Sequence, residues 1–105
     1  MIYCFDVDGT ICELTLDMGY EYAQPIEEMV EYINDLYDQG HTIKIHTARG
    51  QDSGIDYESF TIEQLQEWGV KFHAFYYGKP SADVYIDDKG ISAKDFLRPR
   101  RRNNG

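Results

Sequence analysis

Apolar residues along this chain form short continuous runs that alternate with longer segments of helical period. Residues 2–5 are almost fully apolar and rich in β-formers, which predicts a central parallel strand buried on both faces. Apolar positions then recur at helical spacing over residues 26–37. Pro25 suits the first turn of this helix and Gly40 supplies its C-terminal stop.

Further strands and helices follow with the same alternation. Thr61 and Gln64 form a candidate capping box that would open a second helix, which Gly69 would end. The other predicted elements are strands over residues 42–46, 72–76 and 84–86 and a short helix over residues 93–97. Strands that alternate with helices predict a single Rossmann-like α/β domain, with a parallel sheet and helices on both faces.

Length and charge limit the domain count and the partners. A chain of 105 residues with 42% apolar content is large enough for one core, which we place over residues 1–97. The net charge of −9 argues against a general affinity for nucleic acid or anionic membranes. Residues 98–105 lack apolar side chains and predict a disordered basic tail, so nucleic acid stays a disfavoured but open partner. The tail carries Arg98, Arg100, Arg101 and Arg102.

The cysteines and the N-terminal run indicate a cytoplasmic protein. Cys4 and Cys12 fit neither a CxxC redox pair nor a zinc site, which makes a disulfide framework improbable. Asp6 and Asp8 interrupt the N-terminal apolar run too early for a secretory signal. We therefore expect a soluble protein of the reducing cytoplasm without a membrane partner.

Polar residues follow the predicted strands at their carboxyl ends. Asp6 and Thr47 end two strands, the pair Asp87 and Asp88 follows a third, and Lys79 lies in a loop at the same edge. In open parallel sheets ligands bind outside these ends, so the side chains are expected to converge on one site. Gathered carboxylates repel one another unless a cation is bound, and an all-oxygen site favours Mg²⁺.

The segment Asp-Val-Asp-Gly-Thr at residues 6–10 is ambiguous when it is taken alone. Asp-Gly between apolar runs is also a strong β-hairpin signal, and that alternative stays open for this segment. A calcium-binding EF-hand that began at Asp6 would need Gly in place of Ile11 and Glu in place of Asp17. The EF-hand interpretation therefore fails.

Phosphoryl transfer accounts for the whole set of strand-end residues. This reaction needs an in-line nucleophile, neutralisation of charge on the phosphate oxygens and a proton for the leaving oxygen. Asp6 can serve as the nucleophile, and Asp8 can protonate the leaving group and later activate water. Gly9 permits the sharp turn that this placement requires.

The same residues resemble a known family. Phe-Asp-Val-Asp-Gly-Thr-Ile at 5–11, Thr47, Lys79 and Ile-Asp-Asp at 86–88 resemble motifs one to four of the haloacid dehalogenase superfamily, over residues 1 to about 97. The resemblance implies Asp6 as nucleophile, Asp8 as general acid/base and backbone metal ligand, Thr47 as phosphate hydroxyl donor and Lys79 as charge neutraliser. It also implies Asp88 as the more direct Mg²⁺ ligand, with Asp87 assisting directly or through water.

A narrower resemblance bears on the substrate. His-Thr-Ala-Arg-Gly at 46–50 together with residues 77–88 resembles small capless phosphatases found with capsule and surface-polysaccharide genes, which implies a sugar phosphate or nucleotide-linked metabolite. The connections leave no room for a cap domain, so we expect an open site that a homo-oligomer could close. The core also resembles the phosphatase part of polynucleotide kinase 3′-phosphatases, and that substrate class remains the alternative.

Several residues carry weaker expectations. Gly9, Thr10, Ala48 and Arg49 are expected to contact the substrate, and Arg49 has the alternative of a surface salt bridge. A phosphoacceptor domain of the receiver type would share the length, the sheet and the phosphorylated Asp. The order of the acidic motifs argues against it, because receivers place the acidic pair first. Asp8→Asn is expected to cripple turnover and leave the fold intact.

Overall fold

Four parallel strands form one sheet in the computed structural model, which describes residues 1–15, 18–51, 53–78 and 80–87. The strands lie in the order β3-β2-β1-β4. Their bounds are β1 Ile2–Asp6, β2 Thr42–Thr47, β3 Ala74–Tyr77 and β4 Val84–Ile86, with helices α1 Glu27–Asp38 and α2 Glu58–Glu67 and a 3₁₀ helix at Tyr20–Tyr22. The predicted Rossmann-like α/β class is thereby confirmed.

Strand β1 lies in the interior of the sheet. Phe5 pairs with Ile45 on one side and with Ile86 on the other, and both neighbouring strands run parallel to β1. Cys4 and Phe5 are fully buried, as expected for a strand covered on both faces. Because β1 has parallel neighbours on both sides, the hairpin interpretation of the segment after it is wrong.

Helix α1 packs its apolar stripe onto the sheet. The stripe consists of Met29, Val30, Tyr32, Ile33 and Leu36, all buried. Glu27 and Glu28 lie in the first turn, where the partial positive charge of the helix N-terminus favours carboxylates. The predicted helix is confirmed, and the order of its apolar residues explains which face meets β2.

Helix α2 begins earlier than the sequence predicts. Its first residue is Glu58, whose amide donates to Asp56 Oδ1 at 2.9 Å, while the side chain of the N-cap residue Tyr57 makes no capping hydrogen bond. Thr61 and Gln64 therefore lie inside the helix, and the predicted capping box is wrong. Both side chains are buried and accept hydrogen bonds from Arg49 instead. The side-chain oxygens that the capping box would have used accept hydrogen bonds from the buried guanidinium of Arg49.

Polar contacts join α1 to the segment that follows α2. Asn34 of α1 donates to Gly69 O at 2.8 Å, and its Oδ1 accepts from the Lys71 amide at 2.8 Å. From β1 to β3 the chain advances in one direction across the sheet, and it then returns to place β4 on the opposite side of β1. The helix predicted over residues 93–97 and the tail over residues 98–105 lie outside the described residues. Within the described ranges, no helix has the length and apolar character to cross a membrane.

Candidate active site

The carboxyl edge of the sheet brings together residues from three adjacent strands. Asp6 ends β1, Thr47 ends β2, and Asp87 directly follows β4. Because Phe5 pairs with Ile86, the next position on each strand sets Asp6 beside Asp87. Lys79 and Asp88, which the sequence also assigns to this site, lie outside the described residues.

A tight turn follows β1 and carries the first motif. The carbonyl of Val7 accepts from the amides of Thr10, Ile11 and Cys12 at 3.3, 2.9 and 3.2 Å. Gly9 stands at φ 86°, a left-handed conformation that glycine adopts without steric cost. The predicted turn at Gly9 is thus present. It places Asp8 on the same edge as Asp6.

Hydroxyl and carboxylate groups at this edge differ in their hydrogen bonding. The Val7 amide donates to Asp6 Oδ1 at 2.9 Å, and Asp6 is half-buried. Thr47 Oγ1 accepts from the Arg49 amide at 3.1 Å, which leaves its own hydrogen free to be donated. The Thr10 hydroxyl is fully buried and meets no hydrogen-bond partner among the described residues. Ala48, between Thr47 and Arg49, is exposed.

Asp8 and Arg49 form a two-point ion pair. Arg49 Nε donates to Asp8 Oδ2 at 2.9 Å, and Nη2 donates to Asp8 Oδ1 at 2.8 Å. The arginine side chain is fully buried, whereas the aspartate side chain is 22% exposed. Parallel N–H···O bonds of this kind fix the plane of the carboxylate as well as its position.

The remaining donors of the guanidinium also meet protein acceptors. Nη1 donates to Gln64 Oε1 at 2.8 Å and to Thr61 Oγ1 at 3.3 Å, and Nη2 approaches Cys12 Sγ at 3.9 Å. The ring of Tyr20 covers the guanidinium with its centroid 4.4 Å from Cζ, and Gln64 Nε2 donates to Tyr20 O at 2.8 Å. All five N–H groups of an arginine are accounted for by this arrangement.

Burial and the ion pair shift two pKa values in this cluster. Desolvation, reinforced by the charge of Asp8, raises the pKa of Cys12 to about 12. Burial acts to lower the pKa of Arg49, but the hydrogen bonds that Arg49 donates to Asp8 and the negative charge of Asp8 outweigh burial, so that pKa is raised. Arg49 therefore stays a cation and Cys12 a neutral thiol.

The sequence left two alternatives for Arg49, the substrate or a surface salt bridge. The structure shows a salt bridge that is buried instead of exposed, and the substrate contact stays a prediction. The ion pair that it forms is buried, and its fork is made to Asp8. Sequence reasoning missed its other partners, Thr61, Gln64 and Tyr20. A signal was available, because Thr61 and Gln64 are polar residues three positions apart on the helix face that also carries buried Leu65.

Two depressions flank the Asp8–Arg49 pair. The first, of about 240 Å³, is lined by Asp8, Leu14, Thr15 and Tyr20. The second, of about 250 Å³, has Arg49, Gly50, Gln51, Gly54, Ile55, Asp56 and Tyr77 around it. At the second one the Tyr77 hydroxyl donates to Asp56 Oδ1 at 3.1 Å. Both volumes lie below the roughly 300 to 1,000 Å³ of typical small-molecule pockets, so each depression has room for a small ligand or part of one.

The donor set at the carboxyl edge fits a hard cation only in part. Within the described ranges no three His, Cys, Asp or Glu side chains group to hold a metal ion. Asp6 and Asp87 are neighbours, but the carboxylate of Asp8 is bound by Arg49. A Mg²⁺ ion at this edge would therefore use the main-chain carbonyl of Asp8, as the family resemblance implies, and would need Asp88.

Comparisons with known proteins bear on the fold. No protein-family model matches the chain, and no curated protein shows significant similarity to it. A structural-genomics target from Vibrio cholerae with a crystal structure is similar in fold, with a TM-score of 0.72 and 23% sequence identity. The match covers 97% of this chain and 95% of that chain. At this identity the likeness supports the α/β fold alone.

Proposed function

We propose that the protein is a Mg²⁺-dependent phosphomonoester hydrolase of the haloacid dehalogenase type, working through an aspartyl phosphate on Asp6. One observation carries the proposal. Asp6 and Asp87 are the next residues after the paired Phe5 and Ile86 at the carboxyl edge, and Asp8 lies two residues beyond Asp6, directly before the sharp turn at Gly9. This pairing of a candidate nucleophile with a candidate acid/base on one strand end supports phosphoryl transfer.

The first chemical step forms the covalent intermediate. A carboxylate oxygen of Asp6 attacks the phosphorus atom, and the bond from phosphorus to the ester oxygen breaks. Asp8 in its acid form gives its proton to the departing oxygen, so that an alcohol leaves. Thr47 has a hydroxyl hydrogen to donate to a phosphate oxygen at the same edge. Lys79 is assigned the role of neutralising the negative charge of the phosphate oxygens.

The second step restores the enzyme. Asp8, now a carboxylate, takes a proton from water, and the water oxygen attacks the phosphorus of the aspartyl phosphate. The bond from phosphorus to Asp6 breaks, which regenerates the Asp6 carboxylate and releases inorganic phosphate. Asp6, Asp88 and the Asp8 carbonyl, with Asp87, would hold a Mg²⁺ ion, whose positive charge would stabilise the negative charge on the phosphate oxygens.

Charge and size favour a small phosphorylated metabolite as substrate. The net charge of −9 opposes association with polynucleotides, and the depression beside Asp8 has a volume of about 240 Å³. A sugar phosphate or a nucleotide-type metabolite suits both. A 3′-phosphorylated oligonucleotide would have to bind through the basic tail. Closure of the open site by a second copy of the chain remains a prediction. Neither Cys4 nor Cys12 forms a disulfide, which suits the cytoplasm.

A phosphate-release screen with the purified full chain tests the function. The screen covers sugar phosphates, nucleotides and 3′-phosphorylated oligonucleotides, with MgCl₂ or with excess EDTA. We expect Mg²⁺-dependent release from small esters, and none from Asp6→Asn, because the amide is not a nucleophile for phosphorus. The matched control is Asp83→Asn at the opposite end of β4, which is expected to keep activity.

Two results would count against the proposal. Robust turnover by Asp6→Asn would show that Asp6 is not the nucleophile. Phosphate release that EDTA does not reduce would show that the reaction does not need Mg²⁺. A phosphoenzyme trapped from wild type by acid quench, and absent in Asp6→Asn, would give independent support.

A further inference from the structure

We propose that Arg49 is a positioning residue that holds the carboxyl group of Asp8 toward the leaving group and does not bind the substrate. The inference rests on the proposed function, because it gives Asp8 its role as general acid/base. Its structural basis is the buried two-point contact between the two side chains.

The donor inventory of Arg49 leaves nothing for a substrate. Two N–H groups bind Asp8, two bind Gln64 and Thr61, and the fifth faces Cys12. A guanidinium offers five donors, so a phosphate could bind only by breaking one of these contacts. The side chain is also fully buried, and the Tyr20 ring covers one face of it.

Asp8, in contrast, reaches the outside of the cluster. Its side chain is 22% exposed and lines the depression that Leu14, Thr15 and Tyr20 complete. Arg49 donates to both carboxylate oxygens of Asp8 from the buried side. These two hydrogen bonds fix the plane of the carboxyl group, and its opposite edge faces the depression. A general acid must lie within hydrogen-bond distance of the leaving oxygen, and the contact with Arg49 fixes the position of Asp8 for that hydrogen bond.

Helix α2 holds the guanidinium of Arg49 in place. Thr61 and Gln64 belong to helix α2 and hold Nη1, and Gln64 also donates to the Tyr20 carbonyl at 2.8 Å. Helix α2 therefore connects to Asp8 through Arg49, and the same glutamine ties down the 3₁₀ helix beside the depression. Catalytic groups supported in this way keep their geometry better than groups on unsupported loops.

Positioning through Asp8 makes a prediction that direct substrate binding does not make. Protonation by Asp8 matters most when the leaving oxygen is strongly basic, and it matters little when the leaving anion is stable. The first irreversible step sets kcat/KM, so its loss in an Arg49 variant should grow from dinitrophenyl phosphate through p-nitrophenyl phosphate to phenyl phosphate. A substrate ligand would instead lower kcat/KM by the same factor for all three esters.

The experiment measures kcat and KM for these aryl phosphates with wild type, Arg49→Met and Arg49→Lys. We expect Arg49→Met to lose about tenfold or more in kcat/KM on phenyl phosphate, within the range of general acid catalysis, and to change little on dinitrophenyl phosphate. Arg49→Lys keeps the charge but loses the fork, and it should show the same trend with a smaller slope.

Two further variants keep the test informative if Arg49→Met fails to fold. Gln64→Leu removes one anchor of the guanidinium without touching Asp8, and it should reproduce the leaving-group trend weakly. Lys71→Met removes the exposed ion pair with Asp38 and should leave all three rates unchanged.

The outcomes separate the two proposals. Equal losses on all three esters, or a rise in KM with kcat unchanged, would overturn the positioning role while phosphatase activity by wild type stands. Absence of turnover by wild type on every ester would overturn the proposed function, and the role of Arg49 with it.

Discussion

Asp8→Asn provides a stringent test of the buried ion pair, because the substitution keeps the shape of the side chain and removes its charge. In wild type the guanidinium of Arg49 is fully buried and Asp8 is its carboxylate partner among the described residues. Arginine does not lose its proton in proteins, so the variant leaves a buried cation without that counter-ion. The sequence alone led us to expect an intact fold, and the structure adds a cost in stability to that expectation.

The size of the cost follows from the geometry. Removal of one member of a buried ion pair destabilises proteins by about 3 to 5 kcal/mol. Asp8 is 22% exposed, so water can partly replace the lost carboxylate. We therefore expect a loss near the lower limit, about 3 kcal/mol in the free energy of unfolding. Because both partners are then absent, Asp8→Asn should cost less than about 1 kcal/mol when it is introduced into Arg49→Met.

Urea unfolding followed by the fluorescence of Trp68, the single tryptophan, measures these values. Trp68 caps α2 and packs against the core, so it reports the unfolding of the whole domain. A loss of 3 kcal/mol lowers the urea midpoint by about 1 to 3 M.

The matched control is Asp38→Asn, which breaks the exposed pair with Lys71 and should cost less than about 1 kcal/mol. Equal losses in Asp8→Asn and Asp38→Asn would refute the reasoning. A full additive loss in the double variant Asp8→Asn/Arg49→Met would refute it as well.

Three further predictions concern the surroundings of the site. Gly50→Ala should destabilise the chain in urea unfolding by clearly more than Gly54→Ala, because both have positive φ, worth about 1 to 3 kcal/mol, but only a Cβ at Gly50 would overlap the Ile55 carbonyl; equal losses would contradict this. Burial raises the pKa of Cys12 from 9.0 to about 12. The contribution of the neutral Cys12 thiol to the free energy of unfolding is therefore complete below pH 9.0 and is lost as the pH rises toward 12. The free energy of unfolding should therefore fall with rising pH between these values more steeply in wild type than in Cys12→Ala, and parallel curves would argue against this. Ile33→Ala, in the buried face of α1, should cost about 2 to 5 kcal/mol by calorimetry with little change in KM.

The existence of all four strands was predictable because each carries a compact local signal, although β3 is shifted from the predicted residues 72–76 to Ala74–Tyr77. The apolar run that became β1 fits a strand buried on both sides, and the structure places it between two parallel neighbours. Strand β4 was predicted with its observed bounds, Val84–Ile86. Parallel pairing then brings strand ends together whatever the connections are, so the gathering of Asp6, Thr47 and Asp87 at one edge follows from the order of the elements.

The contacts of Arg49 were not predictable in the same way. They join residues separated by 41, 15 and 12 positions, namely Asp8, Gln64 and Thr61. Local patterns carry no information about which acceptors a long flexible side chain will reach through the core. The capping-box pattern was misleading for the same reason, since a tertiary partner overrode a local preference for Thr61 and Gln64.

The position of β4 at the far side of β1 has a consequence for the order in which the chain can fold. Tyr3 pairs with Val84, so β1 gains its second neighbour only when residues near position 84 have left the ribosome. Until then the nascent sheet β3-β2-β1 leaves one edge of β1 unpaired, with the apolar stretch around Phe5 available for wrong pairing. The strand that is synthesised first is the last to be enclosed, and Asp6 gains its acidic neighbour at that same late moment.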